Sequence, residues 1–291
     1  MVTLKYNPPA GFLDEEVRNG YTVSAEMKQV WAVQLDLLQE LMRVCSEHGL
    51  RIFADGGTLI GAVREHGYIP WDDDIDMCML REDYDKLVQL AGEFKEPYFL
   101  QTVYTDTHYG HRHAQLRRTD TLAVPINYKG KRRHCMGIFV DIFVLDRMPN
   151  TPRSLKHHLA RVASAKLRLK TVNKIMLHVP ESVYRWCRYH TCCLSDISLF
   201  RKYEEVLRSV PLTERSLLGC MLTSRTTIPF LRLVTYADVV NLPFEHIELP
   251  CPVGYDEILR AEYGAYMIPV HQPTTHGSMT FDTEQGQNFH K

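Results

Sequence analysis

Residues whose types and spacing can do chemistry are concentrated between Phe53 and Met79. Asp72-Asp73-Asp74-Ile75-Asp76 is followed by the apolar Met77-Cys78-Met79. If Ile75 to Met79 forms a strand, side chains alternate faces, and Asp74 and Asp76 share one of them. Two carboxylates roughly 5 Å apart repel by about 1 kcal/mol in water and about 3 kcal/mol at an effective dielectric near 20. A hard divalent cation relieves that repulsion, and Mg²⁺ characteristically takes one or two carboxylates together with substrate phosphates. A bare Asp-Asp-Asp run also suits a solvated loop. Here a glycine turn before it and an apolar strand after it favour a metal site.

The glycine turn is Asp55-Gly56-Gly57-Thr58, between the apolar Ile52-Phe53-Ala54 and the helix-forming Leu59 to Val63. Glycines let the backbone turn sharply and a ligand approach closely. A helix N-terminus beyond them offers free N–H groups to a phosphate, with Thr58 the expected N-cap. Gly56, Gly57 and Thr58 therefore read as a phosphate cradle facing a metal site. A second stretch, Gly137 to Asp146, is an apolar strand interrupted by Asp141. A lone carboxylate there costs several kcal/mol unless it is paired or metal-bound, so an arginine partner and a metal are the two readings.

Gly-Gly-Thr-Leu-Ile-Gly-Ala-Val-Arg (56–64) and Gly-Tyr-Ile-Pro-Trp-Asp-Asp-Asp-Ile-Asp (67–76) together resemble the signature of LicD-type proteins, found also in fukutin-related transferases. That family is a branch of the nucleotidyltransferase superfamily. A weaker resemblance extends from the helix before Ile52 to the Tyr-Gly-Ala-Tyr-Met-Ile-Pro segment (263–269). It implies an α/β (α+β) fold: a nucleotidyltransferase-like mixed sheet flanked by helices, with an additional helical region. It also implies transfer of phosphocholine from CDP-choline to a hydroxyl of a cell-surface glycan or glycolipid precursor, releasing CMP. Asp141 resembles the third acid of the superfamily, so Asp74, Asp76 and Asp141 are the expected ligands of Mg²⁺ or Mn²⁺. Asp141 is also the expected acceptor of the hydroxyl proton. Relatives carry a basic residue near position 115. Gln115 stands there, and Arg117 is the substitute, with Arg64, for binding donor phosphates. His276 matches a histidine near the end of relatives. Three alternatives stay open: another phospho-alditol or phosphosugar from a different nucleotide donor, a metal-dependent nucleotide hydrolase, and a non-catalytic nucleotide-binding protein.

A choline group is recognised by aromatic rings, and Tyr68, Trp71, Tyr104 and Tyr109 lie close to these motifs. Three histidines at 108, 111 and 113 do not have the separated Cys/His pairs of a structural zinc site. They are expected to be solvated or to contact substrate. Cys187, His190, Cys192 and Cys193 fit no standard zinc spacing either, so buried thiols are expected.

These residues need elements to position them. Met27, Trp31, Leu35, Leu38, Met42 and Cys45 recur at helical steps, capped by Ser24 and ended by Gly49. Further helices are expected near 82–94, 199–210 and 255–263, and a strand over Tyr98–Tyr104. Arg153 to Lys174 carries many basic residues and no acid. It suits a helix with a solvated basic face, or a surface for an anionic lipid-linked acceptor or a membrane. Residues 1–150 are assigned to the catalytic core and 151–291 to a mainly helical region completing the core and the acceptor side.

The 291 residues carry a formal net charge of -1, which gives no general drive towards nucleic acid. No apolar run reaches the ~20 residues of a membrane helix. The polar N-terminus, with Pro8 and Pro9, does not read as a signal peptide. A cytoplasmic location is expected, at the inner face of a membrane if 153–174 docks there, and the 8 cysteines are then expected to be free thiols.

Overall fold

The computed structural model describes residues 1–126, 134–176, 178–190, 194–211, 216–221, 230–271 and 279–286. The chain divides into two compact units. One comprises Met1–Val144 with Val234–Lys291, the other Leu145–Leu233.

The first unit opens with a hairpin, β1 (Glu16–Arg18) and β2 (Tyr21–Val23). The helix α1 (Ala25–Glu47) follows, with the Ser24 hydroxyl accepting from the Met27 N–H at 3.2 Å. Val30 to Leu38 are all buried, so α1 is covered on every side rather than along one apolar stripe. Its polar residues are satisfied internally. Asp36 accepts from the backbone of Lys5 and Tyr6, the Tyr98 hydroxyl and the Arg118 guanidinium. Arg118 is thus the buried counter-ion of a helix carboxylate.

The strand β3 (Phe53–Ala54) leads into the short helix α2 (Gly56–Ile60) and a π-turn at Gly61–Glu65. Next come β4 (Asp76–Leu80) and α3 (Arg81–Gln89). The strand expected to reach Tyr104 stops earlier: β5 is Tyr98–Gln101. There the Thr102 N–H donates to the Thr105 hydroxyl and the Thr105 N–H to the Thr102 hydroxyl, closing a turn. β6 (Ala114–Arg118), β7 (Leu122–Pro125) and β8 (Phe139–Met148) complete this pass. Neighbouring strands run β3-β4-β8-β6-β5, making a mixed sheet flanked by helices, an α/β architecture. Register is decisive for the site: β6 and β8 are antiparallel with Gln115 opposite Asp141.

The second unit holds α4 (Pro152–Met176), α5 (Glu181–Tyr189) and α6 (Asp196–Arg208). It also holds β9 (Leu217–Gly219), paired with the end of β8, and β10 (Leu231–Arg232). Cys187 is buried with Val172, Met176 and Tyr184. His190 stacks on Trp186 at 4.6 Å; Cys192 and Cys193 lie outside the described residues.

From Val234 the chain is again part of the first unit. The hairpin β11 (Val239–Phe244) and β12 (Ile247–Pro252) is followed by α7 (Tyr255–Tyr263), closed by Gly264, and β13 (Met279–Asp282) pairs with β7. Among the described residues no helix is long and apolar enough to cross a membrane.

Candidate active site

The acidic loop is held from both sides. On one side, the Trp31 indole donates to the Asp72 carbonyl at 3.1 Å and the Gln34 amide to the Asp73 carbonyl at 2.7 Å. Tyr68 stacks flat on Trp31 at 4.3 Å, its hydroxyl on Gln34. On the other, Glu245 at the tip of the β11–β12 hairpin accepts from the Tyr68 N–H and, through both oxygens, from Arg18. Packed side chains from α1 and the β11–β12 hairpin thus help hold the loop conformation.

The glycines face those acids directly. Gly56 has φ +53, and a Cβ there would lie 2.9 Å from Asp76 Oδ2; a Cβ on Gly57 would lie 2.5 Å from Asp72 Oδ2. Only glycine permits such an approach. Thr58 does not cap the helix as expected. Asp55 is the N-cap residue, and the Thr58 hydroxyl accepts the Asp76 N–H at 2.9 Å. Thr58 sits within the first turn, where its hydroxyl reaches the start of β4 instead.

Asp74 and Asp141 lie close enough to Asp76 for their charges to act on it. The Asp141 N–H donates to the Ile75 carbonyl at 2.9 Å, fixing β8 beside the acidic motif. Burial, followed by the charges of Asp74, Asp141, Asp55 and Asp72, pushes the Asp76 carboxyl well above the usual carboxylate range. Among the described residues the carboxylates close enough to share one ion are Asp72, Asp73 and Asp74, with oxygens within 4.8 Å of one another. Asp141 behaves in the opposite sense. Burial alone would raise it, but His113 and Gln115 outweigh that and hold it below the usual range. His113 Nε2 is 2.9 Å and Gln115 Nε2 2.7 Å from Asp141 Oδ1.

Behind Gln115 stands Arg117, wholly buried. Its guanidinium donates to Gln115 Oε1 at 2.6 Å, to the Gly137 carbonyl at 2.5 Å and to Gln101. Arg117 thus orients Gln115, which orients Asp141. Arg64, on the π-turn, donates to Glu65 and to the Tyr266 carbonyl at 2.7 Å. His276 lies outside the described residues.

Trp71 is set edge-on to Tyr21 (6.0 Å, 71°) and to His271 (5.0 Å, 66°), an aromatic corner beginning one residue before Asp72. Tyr68, by contrast, is spent in the core. The roles of Trp31, Gln34, Arg18 and Glu245 have no local signature. His113, one residue before β6, and Gln115, on it, meet Asp141 only through strand register.

A set of carboxylate oxygens around a buried acid, with glycine backbone pressed against it, fits a hard divalent cation.

Comparison with known proteins agrees with the geometry. Residues 49–165 match the family described as LicD/FKTN/FKRP, nucleotidyltransferase domain. The chain is 27% identical over 250 residues, 83% of its length and 91% of the relative's, to the lipopolysaccharide cholinephosphotransferase LicD of Haemophilus influenzae. It is 29% identical over 137 residues, 47% of its length and 46% of the relative's, to an uncharacterized protein of Rickettsia prowazekii. Over residues 49–165 the chain is thus similar to the LicD-type nucleotidyltransferase domain.

Proposed function

We propose that the chain transfers phosphocholine from CDP-choline to a hydroxyl of a glycan or glycolipid precursor, releasing CMP. The observation that carries this reading is the buried Asp76 surrounded by Asp74, Asp141, Asp55 and Asp72, in a chain similar to a cholinephosphotransferase over most of its length. Asp74, Asp76 and Asp141 would hold Mg²⁺ or Mn²⁺. The bound ion would neutralise charge on the donor diphosphate and on the departing CMP.

The residues of the chain supply positioning, which dominates phosphoryl transfer. His113 and Gln115 keep the Asp141 carboxylate ionised and oriented. The acceptor oxygen forms a bond to the choline-bearing phosphorus, the bond from that phosphorus to CMP breaks, and the hydroxyl proton passes to the Asp141 carboxylate. A loose transition state makes little demand on base strength, so an acid held below its usual range suffices. Gly56 and Gly57 let the Asp76 and Asp72 carboxylates lie against the backbone. Tyr21, Trp71 and His271 form the surface for the trimethylammonium group, which aromatic faces attract by cation–π interaction.

The test offers the purified chain CDP-choline, CDP-ethanolamine and CDP-ribitol with Mg²⁺, with and without a lipopolysaccharide acceptor, and reads CMP. Acceptor-dependent CMP release from CDP-choline alone supports the proposal. Release without acceptor indicates a hydrolase, and preference for another CDP-alcohol replaces the donor.

A further inference from the structure

The second unit contains a cavity of about 340 Å³ lined by Met148, Pro149, His158, Arg161, Val210 and Pro211, with hydroxyls of Ser154, Ser209 and Ser216 at its walls. Ser154, His157, His158 and Arg161 all reach it from α4, because positions three, four and seven residues apart share a helix face. His158 is 3% exposed, and its Nε2 is buried with no hydrogen-bond partner. An orphaned buried nitrogen costs about 1–3 kcal/mol, so the site is built for something that supplies the missing partner. Burial, then the charges of Arg161 and His157, lowers the His158 pKa. Among the described residues lining the cavity there is no carboxylate. Among the described residues Arg161 reaches only the Ser209 hydroxyl, at 3.5 Å. The described lining thus sets one guanidinium, two imidazoles and serine hydroxyls beside the apolar Met148, Pro149, Val210 and Pro211.

We propose that this pocket binds a small phosphate ester, its phosphoryl oxygens on Arg161 and His158 and its organic part against Met148, Pro149, Val210 and Pro211. Guanidinium and imidazole donors suit a phosphoryl group, and the apolar wall distinguishes an ester from the free ion. The basic stretch 153–174, prominent in the sequence, acquires a specific role: its first turns carry the anion site. A phosphorylated sugar and a phospholipid headgroup present the same chemistry.

The test uses the full chain without Mg²⁺, with inorganic phosphate, glucose 6-phosphate and dihexanoyl phosphatidic acid as probes. Calorimetry reads affinity, and the NMR signal of the His158 ring carbon reports the site. At least one ester is expected to bind saturably, more tightly than inorganic phosphate, and to move the His158 signal. The tighter ester identifies the source, sugar or lipid. Arg161 is at the surface, so Arg161→Gln folds and should weaken binding on the order of tenfold or more. His158→Gln, checked for folding by circular dichroism, should weaken it as well. No saturable binding, inorganic phosphate binding as tightly as both esters, or affinity unchanged in Arg161→Gln overturns the proposal. None of these outcomes depends on CMP release at the acidic centre.

Discussion

The acidic centre of the first unit and the pocket of the second are opposites in charge. Around Asp76 carboxylates accumulate; around His158 the described lining carries Arg161 and no acid. Elsewhere in the molecule buried charges are matched at home, as in Arg118 with Asp36 and Arg18 with Glu245. In the two proposals the sign of the charge gives the class of partner, a cation in the first case and an anionic ester in the second. The same contrast recurs inside the acidic centre, where Asp76 is raised by its neighbours and Asp141 is held down by His113 and Gln115.

The comparison breaks most visibly at Asp76. Asp76→Asn should cut CMP release on the order of a thousandfold, about 4 kcal/mol of barrier. The metal-free protein should melt no lower than wild type, because one of several repelling charges is gone. Loss of activity together with a large loss of stability would mean that the acids hold the fold instead. Gln115→Leu removes a support of Asp141 and should cost about 10–100-fold in kcat, with a higher Mg²⁺ requirement and little change in donor KM. Equal changes in all three would make Gln115 merely structural. Gly57→Ala forces Asp72 aside and should weaken Mg²⁺ dependence about tenfold, ~1.4 kcal/mol, read by titrating activity with Mg²⁺. Smallest is Ser24→Ala, which uncaps the helix carrying Trp31 and Gln34. It should cost about 1 kcal/mol by denaturant unfolding, and activity should be nearly unchanged.

What sequence reveals of this molecule depends on separation along the chain. The acidic motif and the glycines are contiguous, so their chemistry is legible at once. Ser24 and Gly264 declare helix ends by residue type alone, and α1 and α7 follow. The clamp of Glu245 on Arg18 spans 227 positions and leaves no local periodicity. The three-residue strands β1, β2 and β9 are too short for alternation to mark them. Gln115 could be read only as a departure from a family pattern. Its function depends on strand register, which places it opposite Asp141. Thr58 shows the same limit, since a hydroxyl suited to a cap serves a strand that arrives 18 residues later.

The most direct test of the central claim is a Mn²⁺ titration followed by electron paramagnetic resonance, in the presence of CDP-choline, on wild type and Asp76→Asn. Saturable binding in wild type, weakened at least tenfold in the variant, is the predicted result. Mn²⁺ bound equally well by both proteins would contradict the assignment of these carboxylates as the metal centre.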